Sequence, residues 1–298
     1  MDPMKRLPWR NALLLLLAAT IWGTAFVAQS VAMDHLSPFT FNAARSLVGG
    51  IFLVPVTLLL RRGQGAQQVD EKQTWLGGIC CGVVLFVASC LQQFGISYTT
   101  VGKAGFLTAL YIILVPLLSI FLGKRPGVLL WVSVALALVG LYLLCMTTAL
   151  TLTFGDSLVF LCAVAFSFHI LVIDHFAPKA HGVQMSCIQF FTCGVLSLLC
   201  AVLFETPQVD TLLAAWGPIL YAGILSSGVA YTLQIVGQKG MDPTVASLIL
   251  SLESVISALS GWLILGQGMT GRELGGCVLM FLAIILAQLP KKSPRRPS

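Results

Sequence analysis

Charge is what this sequence has least of. Its 298 residues hold 17 Lys and Arg and 11 Asp and Glu, so 9% are charged, against about 25% in an ordinary soluble domain. A water-soluble protein covers its surface with charged side chains, and these are too few to do so. Soluble globular, disordered, collagen-like and disulfide-scaffold classes are excluded on that ground. Metal-binding and catalytic spacings are missing as well. The chain contains no CxxC, no HExxH, no GxxxxGK[ST] loop and no Ser/His dyad of readable spacing, which speaks against a metal site, an intramembrane enzyme and an ATP-driven pump. Its nine cysteines all fall in apolar runs, where a thiol packs as a small hydrophobe.

What is present is apolar: 57% of the residues, with a mean hydropathy of +0.94. The apolar segments are continuous rather than alternating, so they read as helices and not as barrel strands. A bilayer core takes about 20 such residues per helix. Ten runs of that kind are expected, near 11–32, 38–60, 75–95, 101–122, 128–147, 156–174, 184–204, 213–235, 243–265 and 271–289. The first follows Lys5, Arg6 and Arg10 like a signal peptide. It is longer than a signal core of roughly 7–15 residues and lacks a small-x-small cleavage site, so it reads as a retained helix.

Basic residues give the orientation. Threading the chain through ten spans leaves only Lys103 and Arg272 in loops on one side, and Arg45 inside a span. All the other Lys and Arg residues of the 17 fall on the opposite side. That places both termini in the cytoplasm, with residues 1–10 as a short N-terminus and 290–298 as a basic tail. The halves also resemble each other. Thr100-Val-Gly-Lys-Ala-Gly-Phe-Leu-Thr and Leu122-Gly123-Lys124 in the first answer to Pro243-Thr-Val-Ala-Ser-Leu-Ile-Leu-Ser and Leu265-Gly266-Gln267 in the second, about 142–143 residues on. Residues 11–147 and 148–289 thus read as two five-helix repeats. An odd number of spans inverts the second repeat, which is the usual architecture of secondary transporters.

Several of these segments carry a family signature. They are Ile21-Trp22-Gly23-Thr24-Ala25-Phe26-Val27 in the first span, Asn42-Ala-Ala-Arg45 in the second, Gly105-Phe-Leu-Thr-Ala-Leu-Tyr-Ile-Ile-Leu-Val-Pro116 in the fourth and Ser251-Leu-Glu253-Ser254 in the ninth. Together they resemble the EamA family of the drug/metabolite transporter superfamily. Ser254 and Gln267 depart from its pattern, standing where the family often has proline and glutamate. The resemblance implies an all-α, ten-helix carrier with a central cavity that moves amino acids and related metabolites.

Polar side chains are costly inside a bilayer, so each one asks for a reason. Glu253 lies about eleven residues into the ninth span. It is rotated away from a small-residue stripe at helical spacing (Ser247, Ser251, Ser254, Ala258, Gly261), of the sort that packs against a neighbouring helix. That leaves Glu253 facing the cavity as a substrate group or proton carrier, unless it is a structural carboxylate bonded to another helix. Arg45 can snorkel, pair with an acid, or hold a substrate carboxylate through two parallel hydrogen bonds. Ser227, Tyr231, Gln234 and Gln238 share one face of the eighth span, a cavity lining or a seam of interhelical bonds. Gln92 and Gln93 hold the repeat-related position in the third. Thr108 and Tyr111 are helical neighbours on the fourth. His169 and Trp22 sit deep in their spans, as ligand contacts or as packing. Pro116 removes a backbone hydrogen bond and is the hinge candidate.

The expected function is a secondary transporter of small metabolites, amino acids or related compounds, working by alternating access in the export direction. A channel-like facilitator, a multidrug or lipid-type carrier and an intramembrane enzyme are the alternatives. The partners are a small-molecule substrate, the cell-membrane bilayer and, as options, protons for coupling and a second copy of the chain. Nothing calls for a cofactor, a metal or nucleic acid.

Overall fold

A computed structural model of the chain describes residues 9–63, 70–99, 101–124, 126–145, 153–265 and 270–287. Lys5, Arg6, Thr100, Arg125, Gly266, Gln267 and the tail 290–298 lie outside the described residues, and so do Arg61, Arg62, Lys103, Cys145 and Gly261 beyond their backbone.

In hydrocarbon a backbone must satisfy its own hydrogen bonds, and a helix does so within one segment. The regular structure of the described residues is accordingly all helical. It runs through α1 (Trp9–Met33), α2 (Pro38–Gly63), α3 (Glu71–Ile96), α4 (Val101–Ala109), α5 (Tyr111–Phe121), α6 (Val128–Cys145), α7 (Phe154–Phe176) and α8 (Gly182–Phe204). It continues with α9 (Val209–Ala214), α10 (Trp216–Leu220), a π-helical segment (Tyr221–Ala230), α11 (Tyr231–Gln238), α12 (Pro243–Leu250), α13 (Glu253–Leu265) and α14 (Gly271–Ala287). Polar residues set the starts. Asp70 accepts from the main-chain N–H of Lys72 and Gln73, Thr153 and Asp156 close a capping box on α7, and Asp242 caps α12 ahead of Pro243. Each capping group satisfies N–H donors that a helix start leaves free.

Among the described residues, eight helical stretches are long and apolar enough to cross a membrane: Trp9–Met33, Pro38–Leu60, Glu71–Ile96, Ala104–Phe121, Phe154–Phe176, Gly182–Phe204, Trp216–Gln238 and Pro243–Ser260. The chain is therefore a multi-pass membrane protein. The remaining two expected spans, α6 and α14, hold 18 and 17 residues, roughly 26 Å of helix against about 30 Å of hydrocarbon. They pack on each other at Gly140 and Gly276. A Cβ on Gly276 would stand 2.5 Å from the Gly140 carbonyl, so only glycine permits this approach.

The fourth, eighth and ninth spans are not the continuous α-helices that their apolar runs suggest. The fourth breaks at Leu110 and the ninth at Ser251–Leu252. At both places bonds from residue i to i−3 tighten the turn, Leu110 N–H to Leu107 O and Leu252 N–H to Ile249 O. The eighth widens into the π segment.

Small residues line the contacts. Ala18, Ala19, Ala25 and Ala32 of α1 are buried, as are Gly77, Gly78, Cys81 and Gly82 of α3. Large ones face outward, among them Leu58, Leu59, Phe160, Leu199, Val202 and Ile285. That polarity suits a lipid solvent, in which close backbone approach holds helices together. α2 lies against α8 and the π segment, α3 against α7 and α8, and α1 against the π segment, α11, α12 and α13. Links between chain segments fall at two ends. At one, Lys124 pairs with Asp174, Asp70 N–H reaches Lys179 O, and the Asn11 amide reaches the carbonyls of Gly237 and Lys239. At the other, Glu205 takes the N–H groups of Phe39 and Thr40, and Thr99 donates to Asp156.

Candidate functional site

Where these helices converge they line a partly open cavity of about 40 Å³. α1 contributes Trp22, Phe26 and Gln29, spaced by four and three residues and so on one face. Arg45 enters from α2, Gln92 from α3, and Phe166 and Ile170 from α7. Ser226 comes from the π segment, and Tyr231 and Gln234 from α11.

The two broken helices supply one corner of it. Thr108 and Leu250 close the half-helices before the breaks, and Tyr111 and Glu253 open those after them. The Tyr111 hydroxyl donates to Glu253 Oε1 at 3.1 Å across a separation of 142 residues. Both residues are the first of the half-helix that follows a break. Glu253 also stands at the start of α13, where helix N–H groups face a negative charge favourably. Beside it, Gln92 donates its amide to Thr108 Oγ1 at 3.3 Å.

Arg45, also in the lining, is buried at 5% exposure, so it does not snorkel. Its Nη1 donates to Gln29 Oε1 at 3.4 Å, its guanidinium lies over the Phe41 ring, and its Nε has no partner. Trp22 and Tyr231 form an aromatic floor with ring centroids 4.6 Å apart, and the Trp22 indole N–H reaches Ser226 O. The Oε1 of Gln234 is buried without a partner. The site thus offers a cation, an acid, an orphaned amide oxygen and aromatic surface within one pocket.

Trp22, Arg45, Gln92, Thr108, Tyr111, Tyr231, Gln234 and Glu253 are brought together here, while Gln93, His169, Ser227 and Gln238 lie off the lining. Gln93, one residue round α3 from Gln92, donates to the main-chain oxygen of Gln29. His169 faces α8 and bonds Gln189 at 3.1 Å. Gln238 donates to the Ile170 carbonyl. Ser227 packs where a Cβ on Gly49 would strike it. The face drawn through Ser227, Tyr231, Gln234 and Gln238 assumed α-helical spacing throughout. The π segment bonds from i to i+5, which rotates the preceding residues and brings Ser226 to the cavity instead. Pro116 lies within α5, six residues beyond the break at Leu110, so the discontinuity is not at the proline.

The reading from residues missed Phe26, Gln29, Phe166, Ile170, Ser226 and Leu250. Gln29 had a signal, since it follows Trp22 by seven residues on one helix face. Phe26 had the same one, four residues after Trp22, whereas Phe166, Ile170 and Leu250 had none, because a cavity-facing apolar side chain reads like a lipid-facing one.

The model of the EamA-like transporter family matches residues 9–146 and again residues 153–289. An uncharacterized transporter of Archaeoglobus fulgidus is 30% identical over 276 residues, covering 92% of this chain and 84% of its own. The uncharacterized transporter YwfM of Bacillus subtilis is 27% identical over 293 residues, covering 94% and 95%. A solved crystal structure superposes with a TM-score of 0.77 at 22% identity, over 93% of this chain and 96% of that one, a likeness of fold.

Proposed function

The chain belongs to the EamA-like transporter family, and from that premise we propose that it is a secondary carrier of small metabolites, amino acids or related compounds. Transport runs by alternating access, in the export direction, across the cell membrane. The observation that carries this reading is the bond between Tyr111 and Glu253, which joins the first residues after two half-helix breaks at a cavity. Secondary transporters place their sites at such discontinuous helices between repeats.

In this reading α6 and α14 cross the bilayer as a pair, completing ten spans in two inverted repeats, 11–147 and 148–289. Two successive matches to one family model support the duplication. Lys124, Lys179 and Lys239 share one end of the bundle with Asn11, which supports a cytoplasmic position for both termini. Glu253, an intramembrane acid lining the cavity, is the coupling-proton candidate. A homodimer is compatible with the broad apolar outer surface.

Counterflow in proteoliposomes tests the proposal. Vesicles loaded with unlabelled amino acids and related metabolites should take up one labelled class saturably without an imposed ion gradient. Conductance without saturation would instead support a channel. Failure of every compound to exchange, with folded and inserted protein, would overturn the amino-acid reading.

A further inference from the structure

We infer that Arg45 is the docking point for a substrate carboxylate, so that this site selects small organic carboxylates. The inference deepens the transport reading and rests on it for the word substrate. Its observation is an uncompensated charge. Arg45 is buried and lines the cavity, a guanidinium does not lose its proton in proteins, and among the described residues no carboxylate of the chain lies within ion-pair distance of it. Gln29 and the Phe41 ring, its contacts, are neutral. Glu253 shares the pocket but bonds Tyr111. A buried ion left without a counter-charge is costly, and the group that enters the cavity supplies one.

The donors left over on Arg45 narrow the anion. With Nη1 spent on Gln29, Nε and Nη2 remain, and neither has a partner. These two donors point in parallel from one edge of a planar fork, which matches the two oxygens of a carboxylate. Trp22, Phe26, Phe166 and Tyr231 give the pocket apolar walls. Such walls suit the organic body of a carboxylate better than the hydration shell of a phosphate.

Thermal unfolding of the purified full chain in detergent tests this. The probes share one branched carbon skeleton and differ in head group: 4-methylpentanoate, L-leucine, 4-methyl-1-pentanol, isoamylamine and isoamyl phosphate. The two carboxylates are expected to raise the melting temperature saturably at millimolar concentration, and the alcohol, amine and phosphate to leave it unchanged. Arg45→Gln, and Arg45→Lys, which keeps the charge but loses the fork, should weaken the carboxylate effect about tenfold or more. If Arg45→Gln does not fold, the wild-type ranking and Arg45→Lys decide. Stabilisation indifferent to the head group, a preference for the amine or phosphate, or no effect of either carboxylate overturns the inference. Counterflow of the same probes separates it from the transport reading. Carboxylate-selective binding without counterflow keeps the inference and removes the carrier, whereas counterflow indifferent to head group does the reverse.

Discussion

Replacing Gly23 with Ala would put a methyl group into space that α13 already fills. The new Cβ would lie 2.6 Å from the Glu253 carbonyl oxygen and 2.7 Å from Ile256 Cβ. Carbon atoms settle at about 3.5–4.0 Å, so a gap of roughly 1 Å must open. Neither obstacle is the free end of a side chain. The Glu253 carbonyl belongs to the backbone and Ile256 Cβ is fixed by it, so α1 and α13 must part. Overpacking of this kind costs roughly 1–3 kcal/mol, while alanine recovers about 1 kcal/mol of helix propensity over glycine. Gly105→Ala is the matched control, since it makes the same propensity gain and its Cβ would meet only Ser254 Oγ at 3.9 Å. The difference between the two variants therefore isolates the clash, about 1–3 kcal/mol. Unfolding in mixed SDS–detergent micelles reads it, and counterflow rate reads its consequence. Parting α1 from α13 shifts Trp22 against Glu253, so Gly23→Ala should also slow transport. A Gly23→Ala protein as stable and as active as Gly105→Ala would refute the close-approach argument.

Glu253→Gln keeps an acceptor for the Tyr111 hydroxyl but removes the titratable charge, so the pH dependence of transport should flatten; an unaltered pH profile removes the proton-carrier reading. Glu205→Ala deprives the Phe39 and Thr40 N–H groups and the Thr40 hydroxyl of their acceptor at the start of α2, and should cost roughly 1–2 kcal/mol in the same unfolding assay. Pro116→Ala restores an N–H within α5 and should raise stability while lowering turnover; if both stay unchanged, the proline has no hinge role.

Trp22, Arg45, Gln92, Thr108, Tyr111, Tyr231, Gln234 and Glu253 stood out in the sequence because polar and aromatic groups in apolar spans must be partnered or used. What misled the reading was the assumption of uniform helix geometry. Ser226 and Ser227 differ in nothing but register, and one π segment exchanged their roles. His169 looked available for a ligand, but its partner Gln189 sits twenty residues away on a different helix, a pairing that no spacing announces.

The sequence by itself determined the class of molecule. Scarce charge and long apolar runs admit only membrane-spanning helices, and the ordered motifs within them mark the family. It also determined where helices begin, because Asp70, Thr153 and Asp242 act on N–H groups two or three residues away. Only the tertiary structure decided that the fourth and ninth spans break beside each other, that Tyr111 meets Glu253, and that Arg45 is enclosed rather than extended toward water. The reason lies in the solvent. In a bilayer every apolar side chain is at home against lipid or protein, so hydropathy cannot say which faces meet. Close backbone approach at Gly23 and at Gly140–Gly276 decides it, and that depends on how whole helices pack.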